Sequence, residues 1–268
     1  MPEKGTSLPI PNGHDAFDLH VHTVYSVCRL NGNFLWNDGV CRPREVVRRA
    51  HLIGLKGLAI TDHNTRSGVR SAKSEGKKHD VVVVGGSEIR SIEGMHIVAL
   101  GAESIIEPFR PLQEIVEDIR NSGGVAVWAH PINLLGAFCL SFGHSEAFDA
   151  LEINGAKPMF LNRILERNAR KRRLKLVGGS DSHNLSTIGD AVTIFREPID
   201  SEEDVIRNIR KGKIESRQYR TSLISRSCVY PQRFRLMGCS YLRKGVKWKM
   251  ITNRVISGAN RLRDNLKM

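Results

Sequence analysis

Two histidines, His20 and His22, stand at the end of the apolar run Phe17–Val21. Residues two apart on a strand face the same side, so both imidazoles can serve one ion. The pattern recurs along the chain. Asp62 and His63 follow the run Gly57–Thr61, Glu88 follows Val81–Gly85, and His130 ends Val125–Ala129. Asp181 and His183, again two apart, follow Leu174–Gly178, while His96 opens His96–Leu100 and is the exception in placement. Leaving out Asp62, eight of these groups are candidate ligands, and they include six of the ten histidines. Neutral imidazole together with carboxylate suits zinc, manganese or ferrous iron. One ion needs three or four ligands, so such a pool implies two to three divalent metals, with Glu88 a natural bridging carboxylate.

The elements that must position these groups read as repeated βα units. The runs above, joined by Ala150–Ile153 and Ala191–Phe195, are rich in β-branched residues. They alternate with helical patterns over Pro43–Leu52, Leu112–Asn121, Phe160–Arg173 and Glu202–Lys211. Alternation of this kind implies a parallel sheet. Seven or eight strand signals with short connections fit a closed barrel better than an open sheet. The C-terminal rim of a parallel barrel is where side chains from separate strands converge.

The length of 268 residues suits one α/β barrel or two small domains. No apolar run is long enough to span a membrane and the N-terminus lacks the apolar core of a secretory signal, which leads us to expect a cytoplasmic protein. Five scattered cysteines without a CxxC indicate neither a disulfide framework nor a zinc knuckle. Charge is uneven: from Ser216 onward thirteen Lys and Arg face Asp264 alone, within a chain of net +13. The basicity thus belongs to a tail. Within it Trp248, Ile251, Val255, Ala259, Leu262 and Leu266 recur at helical steps. The expected organisation is an N-terminal tail over 1–15, a barrel over 16–212 and a basic, partly helical extension over 213–268.

The segments DLHVHTVYS (18–26), GLAITDHNT (57–65), GGSEI (85–89), MHIVALG (95–101), AHP (129–131) and GGSDSHN (178–184) resemble the ordered motifs of the polymerase and histidinol phosphatase (PHP) family. The resemblance runs from about residue 16 to 212. It implies a distorted seven-stranded (β/α) barrel of TIM-like form, up to three divalent metals, and hydrolysis of phosphomonoesters or phosphodiesters. It also implies that His20, His22, Glu88 and Asp181 hold one metal, that Glu88, His96 and His130 hold a second, and that His63 and His183 hold a third. Relatives often supply an acid to the third site seven or eight residues after the first His, where this chain has Val27 and Cys28. Cys28 could be a thiolate ligand or a buried thiol. The stretch Arg29–Val40 is longer than usual for the family and suggests a lid or substrate loop.

The expected reaction is attack on phosphorus by a metal-bridging hydroxide, with His63 or His183 at the leaving oxygen and Asp62 orienting a neighbouring ligand. Arg29, Arg66 and Arg90 lie near the motifs and could clamp phosphate or simply be solvated. The partner is then a phosphorylated substrate. The tail over 216–268 could pack on the barrel, bind nucleic acid as part of a nuclease, or lie on an anionic membrane surface. A non-catalytic RNA-binding barrel is the remaining alternative, and the nearly intact ligand set argues against it.

Overall fold

The structure, a computed structural model, describes residues 8–30, 34–132 and 142–219. The amphipathic pattern over 248–266 lies outside them. Strands β1 (Asp15–Val21), β4 (Gly57–Ile60), β5 (Val82–Arg90), β6 (His96–Leu100), β7 (Val125–Trp128), β8 (Ala150–Asn154) and β9 (Leu176–Gly179) follow one another in a curled sheet. Val21 bridges to Ser182 just past β9, and the His22 amide donates to the Ser182 carbonyl at 2.8 Å, so the sheet nearly closes at its upper rim. At the lower end β10 (Ala191–Phe195) runs antiparallel to β1, and β11 (Ile214–Gln218) runs antiparallel to β10. Gly178 and Gly179 permit this tight closure. A Cβ on the first would sit 2.2 Å from the Val192 carbonyl, and one on the second 2.5 Å from the His20 Cβ.

Two expectations change. The sheet has nine strands rather than seven, because β10 and β11 extend the ring of seven. It is also not wholly parallel, since β6 is antiparallel to both β5 and β7. That reversal accounts for His96. The first residue of a reversed strand lies at the same rim as the last residues of its parallel neighbours. A two-stranded ribbon, β2 (Val27–Leu30) with β3 (Phe34–Asn37), interrupts the connection from β1 to the first helix and was not expected from the sequence.

Helices α1 (Pro43–Leu52), α3 (Leu112–Asn121), α4 (Met159–Arg172) and α5 (Glu202–Lys211) pack outside the sheet. Their ends obey local chemistry. Pro43 opens α1, the Arg42 amide donates to the Glu45 carboxylate at 2.7 Å, and the Ser201 hydroxyl caps α5 by accepting from the Asp204 amide. Inside the ring, Leu19, Ala59, Val84, Val98, Leu100 and Val127 are buried together. They floor the rim where the polar groups gather.

Helix α2 (Val69–His79) was missed, because Val69, Ala72, Glu75 and Gly76 make up its buried face and two of those carry no apolar bulk. Gly76 is needed there, as a Cβ would meet the Val81 carbonyl at 2.4 Å. Glu75 accepts from Arg48 at 2.6 Å and from Lys78 at 2.9 Å, and these bonds lower its pKa from 4.5 to about 2. Between those values the unfolded chain binds a proton that the native state does not, so stability rises with pH there. Urea titrations should show parent Glu75 more stable than Glu75→Gln above about pH 4.5, with the gap closing towards pH 2.

Candidate metal centre

The two imidazoles of β1 meet head to head. His20 Nε2 lies 3.0 Å from His22 Nε2. On the far side of each ring Nδ1 is already engaged, that of His20 by Glu152 Oε1 at 2.7 Å and that of His22 by Ser26 Oγ at 3.0 Å. A carboxylate can only accept, so His20 Nδ1 carries a proton and Nε2 is the nitrogen left for a cation or a second proton. Around this pair stand Glu88 Oε2, at 3.4 Å from His20 and 3.3 Å from His22, and Asp181 Oδ1, at 3.5 Å from His22. Lone pairs and carboxylate oxygens converging in a buried space call for a cation or for protons.

Glu88 is the hub. Besides the β1 pair, its carboxylate lies 2.7 Å from His96 Nδ1, 3.1 Å from His130 Nε2 and 3.2 Å from His63 Nδ1. Five imidazoles therefore reach one residue that is 2% exposed. Burial alone would raise the Glu88 pKa, but the neighbouring histidines outweigh it and hold the group well below 4.5. Burial likewise pushes His20 and His22 down, yet the carboxylates prevail. Glu152 and Glu88 hold His20 well above 6.5, and Asp181 and Glu88 raise His22 to about 9.

The third cluster contains a residue that sequence reasoning overlooked. Asp38 Oδ2 lies 3.2 Å from His63 Nε2 and 2.8 Å from His183 Nε2. His183 Nδ1 donates to the Asp181 carbonyl at 2.9 Å, which points Nε2 at Asp38. Burial and the charge of His22 lower the His183 pKa, favouring a neutral ring, while His183 and His63 overcome burial to lower that of Asp38. Asp38 reaches this place because the β2–β3 ribbon leaves and returns at one point. The Asp38 amide donates to the Ser26 carbonyl at 2.8 Å, and a Cβ on Gly39 would lie only 2.2 Å from the Thr23 carbonyl. A signal existed, since Asp38 is the sole acid between Asp18 and Glu45. Cys28 sits on β2 with its side chain outside the described part of the molecule.

Three sets of ligand atoms lie within 4.8 Å of one another and could each hold an ion: His20, His22 and Glu88; Glu88, His96 and His130; and His22, His63 and His183. Asp181 borders the first at the distances given above. Asp62 does not join them. It faces Thr23, accepting from its amide at 2.6 Å and its hydroxyl at 2.8 Å, and so braces the turn after β1. Burial raises its pKa against those bonds. Glu152, also unforeseen, accepts from the His130 amide and the Asn154 side chain as well as from His20. Its signal was a carboxylate between Leu151 and Ile153 in an apolar strand. Three of the non-glycine residues with positive φ cluster here, Asn64, His130 and Asp181. Such backbone costs about 1–3 kcal/mol per residue and persists where surroundings impose it.

Residues 18–118 match the model of the PHP domain, and residues 161–214 match that of the PHP-associated family. The chain belongs to the PHP family. PHP members are metal-dependent phosphoesterases, so the chain is a hydrolase acting on phosphoric ester bonds. An uncharacterized protein of Methanocaldococcus jannaschii is 36% identical over 162 residues, covering 58% of this PHP chain and 94% of the relative. A 5'-3' exoribonuclease of Haemophilus influenzae is 29% identical over 114 residues, which cover 41% of this chain and only 38% of the enzyme. Among solved structures, a two-domain protein of Bacteroides vulgatus containing a predicted PHP-like metal-dependent phosphoesterase superposes with a TM-score of 0.62. That match covers 83% of this chain and 71% of the other at 16% identity, a likeness of fold alone. No helix among the described residues is long and apolar enough to cross a membrane.

Proposed function

We propose that this PHP protein hydrolyses a phosphate ester at a centre of two to three divalent ions, with phosphomonoesters as the first substrates to consider. The observation that carries the reading is the convergence of five imidazoles on the buried Glu88 carboxylate. His20, His22, Glu88 and Asp181 would hold one ion, Glu88, His96 and His130 a second, and His63, His183 and Asp38 a third. The donor set of nitrogen and carboxylate oxygen suits zinc, manganese or iron. Divalent ions supply an activated water near neutral pH and offset charge on phosphate oxygens.

The remaining work falls to the chain. We assign His63 and His183, with Asp38 between them, to the leaving-group side. Asp62 keeps the turn carrying His22 and Thr23 in place. Arg90 is the arginine suited to grip phosphate. It lies two residues beyond Glu88, hence on the same face of β5, is in register with His96, and is exposed. Arg66 is turned elsewhere, its guanidinium close to Gly85 and Glu202.

A second reading is hydrolysis at the end of a polynucleotide. Two observations favour it: the thirteen Lys and Arg from residue 216 onward, and the similarity to an exoribonuclease. The metal-reconstituted protein should be assayed on p-nitrophenyl phosphate, nucleoside monophosphates and a 5′-phosphorylated oligoribonucleotide. Turnover of the small esters with weak salt dependence supports the first reading. Oligonucleotide cleavage whose kcat/KM falls steeply with salt supports the second. No metal-dependent turnover of any of them would remove both. In the same assay Asp38→Asn should lower kcat by roughly 10- to 100-fold, in line with losing support for one ion, and equal kcat in parent and variant would remove Asp38 from the centre.

A further inference from the structure

A single carboxylate that belongs to no candidate ion set ties two of those sets together. We infer that Glu152 is a positioning residue that sets the metal-binding tautomer of His20 and pins His130 in its left-handed backbone, so that both ions are gained or lost through it. The inference rests on the reading of the cluster as a metal centre.

Glu152 is 2% exposed, lies at the middle of β8, and uses both oxygens. Oε1 accepts from His20 Nδ1 at 2.7 Å, while Oε2 accepts from the His130 amide at 2.7 Å and from the Asn154 side chain at 2.9 Å. The first bond keeps the His20 proton on Nδ1 and leaves Nε2 free to ligate, because the nitrogen that binds metal is set by the bond the other nitrogen makes. The second bond acts on the main chain. His130 has φ +33°, a conformation unfavourable for a side-chain-bearing residue, and its Nε2 must still reach Glu88 Oε1 at 3.1 Å. The amide held by Glu152 belongs to that same strained residue. One rigid strand residue thus aims a ligand of the first ion and a ligand of the second, 110 residues apart in sequence from His20 to His130.

The two oxygens face only donors, which makes the amide replacement informative. In Glu152→Gln, an amide oxygen turned to His20 sets the NH2 group against the His130 N–H and Asn154. Turned the other way, the NH2 group faces His20 Nδ1 and drives the proton to Nε2, which blocks ligation. The third cluster, His63, His183 and Asp38, is held by its own contacts at 3.2 and 2.8 Å.

Zinc binding to the full-length protein, stripped and titrated against a chromophoric chelator, gives stoichiometry and affinity. Long-range proton–nitrogen NMR of the histidine rings gives the His20 tautomer. Glu152→Gln should weaken binding of the ions shared with Glu88 by about 10- to 100-fold, retain the ion of the third cluster, and raise the Nε2–H form of His20. Asn154→Ala serves as the comparator. It disturbs the same strand and removes a partner of Glu152, whose bonds to His20 and His130 it leaves intact. Unchanged zinc affinity in Glu152→Gln, or equal losses in both variants, would overturn the inference by reducing Glu152 to a packing role. A parent protein that binds no zinc, manganese or iron would instead overturn the metal-centre reading itself, and this inference with it.

Discussion

Glu88→Ala should lower kcat/KM for phosphate ester hydrolysis at least about 1,000-fold, equivalent to ~4 kcal/mol of transition-state stabilisation. The size follows from position. Its carboxylate lies within 3.4 Å of five imidazoles, so its removal takes a ligand from two candidate ion sites and the counter-charge from a third cluster. Metal content measured alongside turnover should fall to one ion or fewer per chain. A variant that keeps both its ions and its rate would show that the hub is an accident of packing. Glu88→Gln offers a gentler comparison, since it keeps the volume and one acceptor oxygen but not the charge.

The double change His20→Ala/His22→Ala should have an effect of the same order, roughly 1,000-fold or more on kcat/KM. Unlike Glu88→Ala, it removes no member of the set Glu88, His96 and His130. The other Glu88 oxygen, Oε1, keeps its contacts with His96 Nδ1 at 2.7 Å and His130 Nε2 at 3.1 Å. Retention of about one ion at that remaining site, with turnover lost, would locate the chemistry at the paired centre. Undiminished turnover in this protein would refute the proposed reaction outright. The two imidazoles are fully buried and close over one another, so circular dichroism should accompany the assay to separate lost chemistry from lost fold.

Much of the candidate ligand cluster was legible because the rules that place it are local. Alternation on a strand puts His20 beside His22, and strand ends in βα units share a rim, which brings Glu88, His130 and Asp181 to the same place. What was illegible depended on pairing across the chain. The reversal of β6 cannot be read from HIVAL, whose pattern is the same in either direction, so His96 looked misplaced. Asp38 was hidden because the usual spacing counts residues along the chain, and the β2–β3 ribbon inserts residues without inserting distance. Helix α2 was hidden because a glycine and a glutamate occupy its inner face. Glu152 was overlooked for the opposite reason to the histidines, since it lies within a strand rather than at its end.

The ribbon from Val27 to Asn37 has a consequence for how such a centre can diversify. Its two ends are stitched together at its base, where the Asp38 amide donates to the Ser26 carbonyl. A longer or shorter segment between them should leave the Asp38 carboxylate where it is, as long as that bond is kept. The scaffold thereby offers an exchangeable cassette at the doorway of its reactive machinery, so that a lineage can acquire a new clientele without rebuilding the engine.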